Sequence, residues 1–177
     1  MNKDNLNIDN TQKMILIEYF RNMYEKIQNN WNVESSLIFF GNGKTNEGTD
    51  ESKAIKRYYI EPFDKRFRQI FLNFNSERNI ESIVWFFDKN KSELLTLNEL
   101  KSLFGEFKIQ NIIYDETTEL KFTPNKNDSI QYVMTSISEW IEKRTNGTLF
   151  FKKDEREIEI GGEYKVSSLI LIIKNSA

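Results

Sequence analysis

The chain contains no cysteine and no histidine. Disulfides, thiolate or imidazole zinc sites, Cys–His and Ser–His nucleophile systems and histidine acid–base catalysis are therefore excluded from this polypeptide. Proline occurs twice and glycine seven times, which rules out collagen-like and low-complexity architectures. An excess of one charge is also missing: 25 basic residues stand against 27 acidic ones, a net charge of −2, and no run of five or six like charges occurs. Without the basic stripe that neutralises phosphates, no nucleic-acid partner is expected. The longest dense apolar stretch, Leu169 to Ile173, is far too short to cross a bilayer, so no membrane partner is expected. Residues 1–10 are polar and include Asp4 and Asp9, unlike a basic segment followed by an apolar one. They read as a flexible leader, and the expected location is cytoplasmic.

What the chain does have is aromatic mass: 14 Phe, 7 Tyr and 3 Trp in 177 residues. At this length folding buries about 70% of the unfolded chain's surface, so one domain is expected over residues 11–177.

Leu16, Phe20, Met23, Tyr24, Ile27 and Trp31 mark one face of a helix over about 11–30, with Lys13, Arg21, Glu25 and Lys26 opposite. Residues 36–40 read as a strand, the polar stretch 41–53 as a long hairpin loop, and 54–61 as the returning strand. Alternation over 67–74 and β-favouring residues over 80–87, separated by a turn-rich 75–79, predict an antiparallel meander. Thr96 and Glu99 form a capping box before the apolar face Leu97, Leu100, Leu103 and Phe104, with Gly105 as the stop. Strands are expected at 109–114 and 119–123 around the turn 115–118. Ile130, Val133, Met134, Ile137, Trp140 and Ile141 fit a helix, while Val133, Thr135 and Ile137 fit a strand; the helix is the preferred assignment. Strands at 148–152, 155–160 and 165–174 complete the chain, and the unbroken apolar run 169–173 marks a central strand covered on both faces. The fold class is α+β: a mainly antiparallel twisted sheet of meanders and hairpins with about three helices packed on it. Two runs of helix then strands suggest loosely related halves, about 11–95 and 96–177.

Gly43-Lys44-Thr45 resembles the end of a phosphate-binding loop, but Ile38 stands where that pattern needs its first Gly, and the loop reading with an Asn42-Gly43 turn is preferred. Residues 88–99 resemble an EF-hand calcium loop. That resemblance implies side-chain ligands at Asp88, Asn90, Ser92 and Glu99 and a carbonyl ligand at Leu94, yet Glu93 occupies the position of the turning Gly. Carboxylate pairs for acid–base work exist at Glu139 with Glu142 and at Glu157 with Glu159, spacings that more commonly mark a solvated face. No nucleophile motif or Gly-rich cofactor fingerprint is present. No catalytic, cofactor-binding or metal-ligating residue is therefore assigned, no cofactor is expected, and the protein is read as non-enzymatic. In size and general character it is similar to bacterial toxin-neutralising immunity proteins, a resemblance of type that implies a protein partner. Glu47, Asp50 and Glu51 in one expected loop, with Asp115, Glu116 and Glu119 around another turn, suit a basic target. The alternatives are a small-molecule-binding or structural domain with an apolar pocket and, below it, a calcium-binding protein through 88–99.

Overall fold

The strand Ser168–Ile173, built almost wholly of Leu and Ile, lies fifth in an eight-stranded antiparallel sheet and joins the two parts of the chain. The computed structural model describes residues 15–27, 31–40, 44–50, 55–62, 64–90, 94–112, 117–124, 128–137, 141–145, 148–153 and 156–174. In chain order the elements are helices α1 (Leu16–Lys26) and α2 (Val33–Phe40), then strands β1 (Lys44–Asp50), β2 (Ile55–Glu61), β3 (Phe67–Phe74) and β4 (Ile80–Phe87). Helix α3 (Leu97–Phe104) precedes β5 (Phe107–Ile112), β6 (Thr117–Phe122), β7 (Ile130–Ile137), β8 (Ile141–Thr145), β9 (Thr148–Lys153), β10 (Arg156–Ile160) and β11 (Ser168–Ile173). The large sheet runs β1-β2-β3-β4-β11-β7-β6-β5; β8, β9 and β10 form a separate three-stranded sheet in the order β10-β9-β8. The α+β class read from the sequence is the observed one.

The chain up to β4 supplies α1, α2 and the meander β1–β4; the remainder supplies α3, the meander β5–β7, the separate sheet β8–β10 and then β11, so that β4 and β11 lie innermost. These two pair antiparallel, with Val84 opposite Ile170 at the middle of the register.

All three helices cover one face. Phe20 of α1 packs edge-on against Trp85 at 5.2 Å, Phe40 of α2 meets the same indole at 6.2 Å, and Phe104 of α3 meets Phe122 at 6.2 Å. Edge-to-face pairs of this kind contribute about 0.5–1.5 kcal/mol beyond area burial. Helix α3 is seated through its start. Thr96 and Glu99 close the expected capping box, and the next two amides donate to Tyr164 and Gly162 carbonyls at 3.0 and 2.9 Å. It stops at Gly105, whose φ of 86° and ψ of −157° suit glycine.

Several expectations are corrected. Residues 33–40 form a helix where 36–40 reads as a strand: Asn32 Oδ1 accepts the Ser35 amide at 2.8 Å as an N-cap, and Val33, Ser36 and Phe40 fall on one buried helical face. The expected loop 41–53 contains β1, paired with β2 from Lys44↔Glu61 to Asp50↔Ile55. Its polar sequence suits a sheet edge, where charge discourages further pairing. Residues 130–137 form a strand, the rejected alternative, because β6 and β11 flank β7 and use its backbone. Helix α1 is shorter than the span 11–30; residues 11–14 and 28–30 lie outside the described ones, and Trp31 is not helical but accepts the Ile80 amide at 2.7 Å. The run 169–173 is central but not covered equally: Leu169, Leu171 and Ile173 are buried, whereas Ile170 and Ile172 are half-buried. The leader 1–10 lies outside the described residues.

Candidate binding face

Strand alternation that buries Ile70, Leu72, Trp85 and Leu171 under the helices sends their neighbours to the opposite face, which no described helix covers. Registers across six strands align Tyr59, Phe71, Val84, Ile170, Met134 and Lys121 in one row. Beside it runs a second row of Arg57, Asn73, Ser82, Ile172 and Tyr132. Tyr59 meets Phe71 at 5.0 Å, and Phe71 meets Phe86 at 5.2 Å, both edge-to-face. Most of these side chains are half-buried, and Val84, Asn73 and Ser82 are buried.

Cations lie over the rings. The Arg57 guanidinium is 4.9 Å from the Phe71 centroid, Arg68 is 5.8 Å from Phe86, and the Lys121 ammonium is 3.9 Å from Tyr132. Such contacts contribute about 0.5–1 kcal/mol at exposed sites. Arg57 is also held from below: its Nε donates to Asn73 Oδ1 at 2.7 Å, and Asn73 Nδ2 donates to Ser82 Oγ at 2.7 Å. Lys108 stands opposite Lys121, extending the positive border; by register Asp50, Glu61 and Glu119 share this face among the described residues, and Asp88 stands beside Arg68 and Phe86 at the end of β4.

A part-buried ion pair closes one end of the sheet. The Arg66 side chain, 5% exposed, donates to both Asp64 oxygens through Nε and to Oδ2 through Nη2 at 2.6 Å. Its carbonyl accepts the Asp88 amide at 2.9 Å, so the pair ties the turn before β3 to the end of β4. Beneath it, burial pushes the Tyr19 phenol above its ordinary value, with a smaller opposing effect from the Trp85 side chain. Tyr19 therefore stays protonated at neutral pH and offers no general base there.

The motifs read from the sequence fall elsewhere. Lys44 and Thr45 begin an edge strand rather than a helix, so the strand–loop–helix geometry of a phosphate loop is absent there; Gly43 lies outside the described residues. Asp88 follows a strand, and its Oδ1 accepts the Asn90 amide at 3.0 Å. Glu99 Oε2 accepts from the Thr96 amide and hydroxyl at 2.8 and 3.1 Å, so the carboxylate that would close a calcium loop serves the helix cap. Ser92 and Glu93 lie outside the described residues, as do Glu51, Asp115, Glu116 and Glu139. Glu142 lies on β8, and Glu157 and Glu159 lie two apart on β10. Glu47 and Asp50 lie on β1, and Glu119 lies on the open face. Of the two expected acidic loops, Glu47, Asp50 and Glu119 are thus the carboxylates among the described residues.

The open face itself escaped the sequence reading. Its signal is present: Phe71 between Ile70 and Leu72, and Val84 and Phe86 around Trp85, make strands apolar on both faces although helices cover only one.

No protein-family profile and no curated protein matches the chain. Among solved structures it is similar to the crystal structure of a DUF4309 family protein (YjgB) from Bacillus subtilis, with a TM-score of 0.43 and 11% identity over 90% of this chain and 96% of that one. A likeness at that level bears on neither family nor function.

Proposed function

We propose that the protein is a non-enzymatic binding protein that captures a protein partner on the helix-free face of its eight-stranded sheet. The observation that carries this reading is the aromatic cluster Tyr59, Phe71 and Phe86 with guanidinium groups held over two of its rings. Aromatic residues and arginine dominate the energetics of protein interfaces, because they bury large area and lose little rotamer freedom when pre-positioned. Eight strands about 4.8 Å apart make a face roughly 34 Å wide and about 20 Å tall, near 700 Å², comparable with one side of a standard interface.

The cations that lie over the rings, Arg57, Arg68 and Lys121, call for a partner that presents acidic side chains around an apolar centre, with Asp50, Glu61, Asp88 and Glu119 as the carboxylate positions between them. The partner we propose is thus acidic at its contact surface, not basic. Ring faces occupied by cations favour protein contact over stacking of nucleobases. Occlusion of a toxin is the specific role we propose, since inhibition of that kind requires surface complementarity alone.

The test is co-expression with the product of the neighbouring gene, followed by gel filtration at micromolar concentration. A complex that forms with the wild type and is lost in the folded variants Phe71→Asp and Arg57→Ala supports the reading. No complex, or one indifferent to both substitutions, refutes it.

A further inference from the structure

At the β4 end of the open face lies a cleft of about 490 Å³ whose walls include Arg68, Phe86, Asp88, Lys89, Ser167 and Ser168. Arg68 is exposed and lies over the Phe86 ring, and no described residue forms an ion pair or hydrogen bond with it. The Lys89 ammonium and the Ser167 and Ser168 hydroxyls likewise have no side-chain partner among the described residues. The backbone beneath them is fixed. The Phe87 amide donates to the Ser167 carbonyl at 3.0 Å, and Thr135 Oγ1 donates to the Ser168 carbonyl at 2.7 Å.

We infer that this cleft is the anchor subsite of the binding face and receives a single side-chain carboxylate, Asp or Glu, from the partner. Two cationic and two hydroxyl-bearing residues line one cleft with the Phe86 ring, and a guanidinium presents paired N–H groups that match a carboxylate. Phe86 holds that guanidinium by cation–π contact, which lowers the ordering cost of capture. The Asp88 carboxylate on the rim sets the class of anion. Against two cations it leaves room for one negative charge, whereas a phosphate dianion would meet repulsion from it.

This inference rests on the binding-face reading, and the two fail separately. The probe is N-acetyl-glutamic acid α-amide, which carries one side-chain carboxylate, with N-acetyl-glutamine amide as its neutral match and inorganic phosphate as the competing anion. Each is titrated into the isotopically labelled protein while backbone amide resonances are followed. Saturable shifts at Phe87, Lys89 and Ser168 with the glutamate probe, absent with glutamine and weakened about tenfold or more in Arg68→Gln, are the expected result. Arg68 is exposed, so the variant should keep the remaining spectrum, and Ser168→Ala gives a second, smaller loss. Equal shifts with glutamine, no saturation below about 100 mM, tighter binding of phosphate, or an unchanged Arg68→Gln titration each overturns the carboxylate anchor. A negative titration leaves the binding face standing, because that reading is tested at Phe71 and Arg57. A partner complex indifferent to Phe71 and Arg57 removes the binding face whatever the titration shows.

Discussion

Asn73 holds Arg57 in place on the open face, accepting its Nε proton at 2.7 Å while donating to Ser82 at 2.7 Å. Asn73 and Ser82 are each only 7% exposed, so two buried polar groups serve to orient one cation above Phe71. Buried polar groups cost stability unless satisfied, and a network of this kind fixes geometry when every member is paired.

Replacing Asn73 by Ala should therefore lower stability by about 1.5–3 kcal/mol, because it removes a hydrogen bond to a charged group and strips the Ser82 hydroxyl of its partner. Urea unfolding measures this. The same variant should release the partner faster, and a destabilised protein with unchanged dissociation would mean that the network serves the fold alone.

The two faces of the sheet should answer aromatic truncation differently. Phe20 is buried against Tyr19, Phe67, Trp85 and Phe87, and Phe20→Ala should cost about 3–5 kcal/mol. Phe71 is half-buried, and Phe71→Ala should cost about 1–2 kcal/mol of stability. Its loss of partner affinity should be about tenfold or more, as at an interface hot spot. Equal losses of stability from the two substitutions would contradict the assignment of core and open faces.

The capping box gives a prediction about metal. Thr96→Ala should lower stability by about 1 kcal/mol with or without calcium. Millimolar calcium should leave the melting temperature where magnesium leaves it, and Glu99→Gln should lower it equally in both salts. A calcium-specific rise that disappears in Glu99→Gln would establish a metal site at 88–99 instead.

A small acid-sensitive contribution is expected at the α2 end of the sheet. The Arg78 Nε–H donates to Glu34 Oε1 at 2.7 Å and holds the carboxyl below its ordinary value of 4.5. A carboxyl whose folded value is depressed adds stability above the unfolded value and loses it as pH falls through the folded one. Both side chains are well exposed, so the effect should be no more than a few tenths of a kcal/mol. Unfolding curves from pH 5.5 downward should show a slightly shallower loss in Glu34→Gln than in the wild type. The difference should vanish at about 1 M salt.

Local chemistry was enough to read several elements. The capping box at Thr96 and Glu99, the stop at Gly105, the buried stripe of α1 and the meander over 67–74 and 80–87 depend on spacings of four residues or fewer, or on a turn between adjacent strands. The central place of 169–173 was also legible, because so continuous an apolar run is costly at an exposed edge.

Tertiary structure decided what pairing decides. Residues 130–137 contain apolar positions compatible with both periods, and only the flanking backbones of β6 and β11 select the extended form. The polar residues of β1 become a strand because β2 offers its edge, and Leu37 to Phe40 become helical because Asn32 caps them and Trp85 receives Phe40. The binding face has the same origin. Tyr59, Phe71, Val84, Ile170, Met134 and Lys121 are scattered over more than a hundred positions of sequence, and strand registers alone bring them into one row. Composition and short-range periodicity determine the class of fold and the core side of each element; which residues share a surface depends on long-range hydrogen bonding between strands, which no local pattern encodes.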